Sequence, residues 1–153
     1  LSLSDSVYSS ASVAAVGVAA HECGHAIQHQ KNYAPLTIRG AIVPVANIGS
    51  TLAWPLILIG LFISSRSGQA LITAGIICFS LAVLFQIVTL PVEFNASSRA
   101  LKMLGSSGML GADEVKGARK VLTAAALTYV AALASSILQL LRLIILAGGR
   151  DRD

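Results

Sequence analysis

Residues 40–65 and 67–92 are two stretches of 26 residues without one charged side chain, separated only by Arg66. At about 1.5 Å of helical rise per residue each reaches about 39 Å, beyond the roughly 30 Å of a bilayer's hydrocarbon core. Lipid leaves backbone N–H and C=O groups no partner outside the segment itself, so runs like these cross it as helices. The "SSRSG" turn between them predicts an antiparallel hairpin. A third uncharged stretch, residues 121–141, is also of spanning length. With 55% hydrophobic and only 12% charged residues, the composition lies outside the range of soluble domains and agrees.

The expected fold is an all-α membrane protein, one domain over residues 1–153 with about three transmembrane helices. A motif helix is expected at 10–31, the hairpin at 40–65 and 67–92, a short amphipathic helix at 93–105 and a last, membrane-spanning helix at 114–148. "LSLS" at the start alternates with period two, as a short strand does. Pro44 and Pro55 should kink or split the first span, and Asp113 should cap the last helix. Asn47 and Gln86 are expected to hydrogen-bond between helices, and Arg142 to snorkel to the interface. The net charge of +4 comes from basic residues scattered among apolar segments. Without a dense patch, aromatic interleaving or a phosphate-cradling glycine loop, they argue against nucleic acid and for the lipid bilayer as partner. Cys23 and Cys78 form neither a disulfide framework nor a CxxC metal pattern. The chain starts at Leu1 with no signal-peptide pattern and is expected to be a piece of a longer protein.

The chemistry concentrates in "VAAHECGHAIQH", residues 18–29. Four residues of helix advance about 400°, so His21 and His25 stand within about 40° of each other on neighbouring turns, where their imidazoles can share one ion. Glu22, about 100° round from His21, can reach an activated water without being a ligand, as a general base does. Cys23 points away. Glycine inside a helix costs about 1 kcal/mol relative to alanine, so Gly24 predicts the close approach of another backbone, such as the helix beginning at 93.

A catalytic zinc takes three protein ligands and keeps a fourth position open. The hairpin returns the chain to the face it left, which puts Glu93 on the motif's side as a candidate third ligand; it could instead be an interfacial charge ending a span. His29, about 12 Å along the axis from His21, is too far to share its ion. The glycine turn and later histidine of HExxHxxGxxH are absent. Asn95 and Ser97 either orient a ligating histidine or cap their helix. Arg99 either stabilises an oxyanion or a substrate carboxylate, or pairs with solvent and lipid headgroups.

Beyond the motif, "SVAAVGVAAHECGHAIQH", "VPVANIGSTLAWPLIL", "LAVLFQIVTLPVEFNASSRAL" and "KGARKVLTAAALTYVAALASSILQLLRLI" together resemble the YugP-type neutral zinc metallopeptidases of bacterial membranes, over nearly the whole chain. The resemblance implies a gluzincin-like, multi-pass membrane protease. His21 and His25 would be the helix ligands, Glu22 the catalytic base, Glu93 the third ligand and Zn2+ the cofactor, with peptides or membrane proteins as substrates. Asn95 and Ala96 match the family's "EFNAS" segment, while Ser97 stands where wider gluzincins often carry an aspartate. Also implied are a membrane segment and a soluble stretch upstream of Leu1, and a substrate-pairing strand whose last piece is "LSLS".

The function so read is peptide-bond hydrolysis at a bacterial cell membrane. Lys31, Arg39, Arg99, Lys102, Lys116, Arg119 and Lys120 fall on the motif's side of the spans, against Arg66, Arg142, Arg150 and Arg152 opposite. That excess predicts a cytoplasmic active site. An intramembrane protease of the site-2 type would need an aspartate ligand in an "LDG"-like segment, which the sequence lacks. The remaining alternative is a noncatalytic membrane scaffold or transporter subunit whose histidines are structural.

Overall fold

The computed structural model describes residues 1–150. It is all helix: α1 (Asp5–Tyr8), α2 (Val13–Gln30), α3 (Ala34–Phe62), α4 (Arg66–Ser107) and α5 (Ala112–Arg150). α3, α4 and α5 are each long and apolar enough to cross a membrane. No strand occurs among the described residues, and residues 1–4, expected as a short strand, carry no regular structure. A strand needs a neighbour for its N–H and C=O groups, and an all-helical fold offers none. Arg152, counted above among the basic residues, lies outside the described residues.

Local chemistry explains where the helices start and stop. Ser12 opens α2 by accepting the Ala15 N–H at 3.2 Å, so the motif helix begins at 13 rather than 10. Asn32, with φ 48°, makes the turn into α3 in the left-handed conformation that asparagine tolerates. Pro44 and Pro55 lie inside α3 without splitting it; each forfeits one backbone hydrogen bond. α4 departs furthest from expectation, because the second span and the 93–105 helix are one uninterrupted helix that continues through Pro91. Glu93 therefore sits within a helix and does not open one. Asp113 does not cap α5, whose helix begins at Ala112. Instead Glu114 Oε2 accepts the Gly111 N–H at 2.8 Å, half of a capping box, while Asp113 pairs with Lys116 at 2.9 Å.

Packing divides the chain into two compact units, Leu1–Thr37 with Thr89–Val130, and Ile38–Val88 with the chain from Ala131 onward. In the first, Ala118 abuts Gly17, and Ala20, Ala100, Leu104, Ala118 and Leu122 form a core. In the second, α3 packs on α4 through near-bare backbone: a Cβ on Gly75 would come within 2.8 Å of the Ala53 carbonyl oxygen. Small residues that let helices approach this closely suit packing in lipid. Large apolar side chains such as Trp54, Phe62, Leu138 and Ile145 remain exposed, as on helix faces that lipid can cover. Among the described residues neither expected interhelical hydrogen bond is found: the Asn47 side chain is exposed, and the buried Gln86 Oε1 has no partner.

Candidate metal centre

α2 and α4 meet where a glycine lets them. A Cβ on Gly24 would overlap the Ala96 carbonyl oxygen, and Ala96 itself is wholly buried. This is the close approach that Gly24 predicted, with the 93–105 segment as the partner. It brings Glu93, one turn before Ala96 on α4, against the two motif histidines. Glu93 Oε2 lies 3.2 Å from His21 Nε2 and 3.6 Å from His25 Nε2, with the glutamate side chain 4% exposed. The two imidazoles stand edge to face at 4.7 Å.

Donor atoms of His21, His25 and Glu93 all lie within 4.8 Å of one another. A tetrahedral ion with bonds of about 2.0–2.1 Å has ligand-to-ligand edges of about 3.3 Å. The two observed nitrogen–oxygen separations bracket that edge, so these three side chains could hold a single zinc ion.

A second ring of hydrogen bonds turns the donors inward. Gln28 is wholly buried, and its Nε2 donates to the Val92 carbonyl at 2.8 Å and to Asn95 Oδ1 at 3.1 Å. A carbonyl can only accept, which fixes the NH2 end of the amide and leaves Oε1 facing His25 Nδ1 at 2.9 Å. His25 must then carry its proton on Nδ1 and present a lone pair at Nε2. On the other histidine, Ser97 Oγ stands 3.0 Å from His21 Nδ1. Asn95 touches neither histidine. It accepts from Gln28 and, at 2.7 Å, from Arg99 Nε, whose guanidinium also lies over the Tyr33 ring at 5.9 Å. Neither Asn95 nor Ser97 caps a helix, because both lie in the interior of α4.

The Glu93 carboxylate thus faces a lone pair of neutral His25 at one half-buried point, and the two repel each other unless a cation lies between them, while His21 Nε2 can donate to the same carboxylate when it carries its proton. A proton is the simplest such cation. The pKa of His25 is accordingly raised, chiefly by its hydrogen bond to Glu93, with Gln28 and the charges of Glu93 and Glu22 adding to it and burial opposing. Glu22 is half-buried on α2 and is held by no hydrogen bond among the described residues. His29 is exposed, and Cys23 is a half-buried free thiol. Gln28 is the site residue that sequence reasoning missed. Seven residues after His21, it falls within about 20° of it around the helix, and a polar residue on the histidine face of a greasy helix was the available signal.

Comparison with known proteins agrees with this chemistry. A family profile described as "Putative neutral zinc metallopeptidase" matches residues 1–148. The "Putative membrane protease YugP" of Bacillus subtilis (strain 168) is 50% identical over 152 residues, 99% of this chain. The chain spans 66% of that relative's length, just under two thirds. No solved structure matches.

Proposed function

The chain belongs to this zinc metallopeptidase family, and from that premise we propose that it is a membrane-bound endopeptidase whose metal is held by His21, His25 and Glu93, with Glu22 as general base. The observation that carries the reading is the convergence of the Glu93 carboxylate on both Nε2 atoms while each Nδ1 is engaged from behind. Zinc bound there would polarise the scissile carbonyl and make a water acidic enough to react near neutral pH.

Glu22 takes the proton that the attacking water sheds as its oxygen bonds to the carbonyl carbon. It delivers that proton to the amine nitrogen as the C–N bond breaks, so one water is consumed and a carboxyl and an amine leave. Gln28 and Ser97 hold the ligating imidazoles in orientation. The three long apolar helices support a bilayer setting, the excess of basic residues on the motif's side supports a cytoplasmic active site, and the substrates are peptides or exposed segments of membrane proteins.

Zinc content and peptide cleavage of the purified full chain test this directly. Glu22→Gln is expected to keep stoichiometric zinc and lose about 10²- to 10⁴-fold in cleavage rate, whereas Glu93→Ala loses the zinc as well. Cleavage at the unmodified rate by Glu22→Gln would rule the mechanism out. A folded chain that takes up no zinc would point to the noncatalytic scaffold.

A further inference from the structure

Next to the metal centre, α4 and α5 form an open groove of about 440 Å³ whose cations, Lys102 and Arg119, are exposed. Lys102 and Arg119 supply its charge, Ser98 and Thr123 its hydroxyls, and Phe94 and Leu122 its apolar wall. No acidic side chain lines it, and neither cation has an ion-pair partner among the described residues. Ser97 belongs to both places, lining the groove while its Oγ lies 3.0 Å from His21 Nδ1. That contact reaches His21 from behind, on the nitrogen turned away from Glu93, so the opening adjoins the metal centre through Ser97 alone. The volume falls within the roughly 300–1,000 Å³ of sites that hold small ligands. Arg99, the other cation on this part of α4, is committed to Asn95.

We propose that this groove is a specificity subsite that takes an acidic side chain of the substrate, the carboxylate meeting Lys102 and Arg119 and the methylene stem lying on Phe94 and Leu122. The assignment rests on the peptidase reading above. It makes acidic peptides the preferred substrate class.

The test uses the full chain, zinc-loaded in phosphatidylcholine nanodiscs, on a Glu22→Gln background so that binding is read without turnover. Fluorescent heptapeptides differing only by Glu or Gln at each position in turn are titrated by anisotropy. At one position the Glu peptide is expected to bind about tenfold more tightly, the combined effect of two partly solvated ion pairs. Lys102→Ser with Arg119→Ser should erase that difference while zinc content stays the same. Lys102→Glu with Arg119→Glu should transfer the preference to a Lys peptide. Equal affinity of the two peptides at every position overturns the proposal, as does a preference that survives the double serine variant. If that variant leaves peptide discrimination intact but loses phosphatidylglycerol added to the nanodisc, the groove is a lipid headgroup site and the proposal falls. A Glu preference in a chain that cleaves nothing when Glu22 is present counts for the groove and against the peptidase.

Discussion

Gln28 and Gln86 are the same residue in the two units of this protein, and their surroundings are opposite. Gln28 is wholly buried with both ends of its amide in use, donating to Val92 and Asn95 and accepting from His25. Gln86 buries a side-chain oxygen that finds no partner among the described residues, as does Gln69 in the same unit. That unit is held by backbone meeting backbone at Gly49, Gly60 and Gly75, which demands shape and little direction. The metal unit uses a close approach as well, at Gly24, and then adds directional bonds that set which atom of each histidine faces Glu93. A buried polar side chain marks a candidate site here when its partners determine the chemistry of a third group, and burial alone is no such mark.

Substituting the two glutamines alike is the sharpest way to break this comparison. Gln28→Leu removes the acceptor that holds the His25 proton on Nδ1, and zinc affinity, read by competition with a chelator, is expected to fall about 10- to 100-fold. Unchanged affinity would dissolve the distinction between the two units.

Glycines offer the next contrast. Gly24→Ala forces a Cβ onto the Ala96 carbonyl and should cost about 1–3 kcal/mol in detergent unfolding, weakening zinc binding as Glu93 moves off. Gly40→Ala, in the other unit, meets nothing within 4 Å and should be neutral or gain up to about 1 kcal/mol from helix propensity. Equal effects at the two positions would show that the α2–α4 approach is not tight.

Proton competition sharpens the picture of the metal unit. The folded-state pKa of His25 is raised above 6.5, so in the metal-free protein its protonation contributes stability that is fully present below 6.5 and is lost as pH rises through the raised value. Zinc held by the proposed ligands would have to displace that proton. Its affinity should therefore fall by up to about tenfold per pH unit as pH drops below the raised pKa, and a flat profile between pH 8 and pH 6 would contradict the coupling. The smallest effect belongs to Gln86→Leu, which removes an unpaired buried oxygen. Thermal unfolding in detergent should be unchanged or improved by up to about 1 kcal/mol, and a clear loss of stability would reveal a partner for that side chain.

Features that depend on near neighbours along the chain were legible in the residues. The uncharged runs became long helices, the four-residue spacing put His21 and His25 side by side, and Gly24 announced a backbone contact. The misreadings are instructive for the same reason. "LSLS" has a strand's alternation, but alternation supplies no neighbouring strand. Asp113 has a capping side chain, yet Glu114 reached the Gly111 N–H instead. A break was expected at residue 93 because charge begins there, although charge by itself does not end a helix and α4 runs on.

By itself the residue order determined a greasy helical protein with a paired-histidine helix, because periodicity and hydropathy act within a few turns. Only the tertiary structure decided that Glu93, 72 residues beyond His21, arrives within 3.2 Å of it. It also decided that Ser97 takes His21 and that Gln28 takes His25. Those outcomes depend on how closely two helix backbones can approach and on which way an amide must face once a carbonyl has claimed one of its ends, and both are properties of packed atoms in three dimensions.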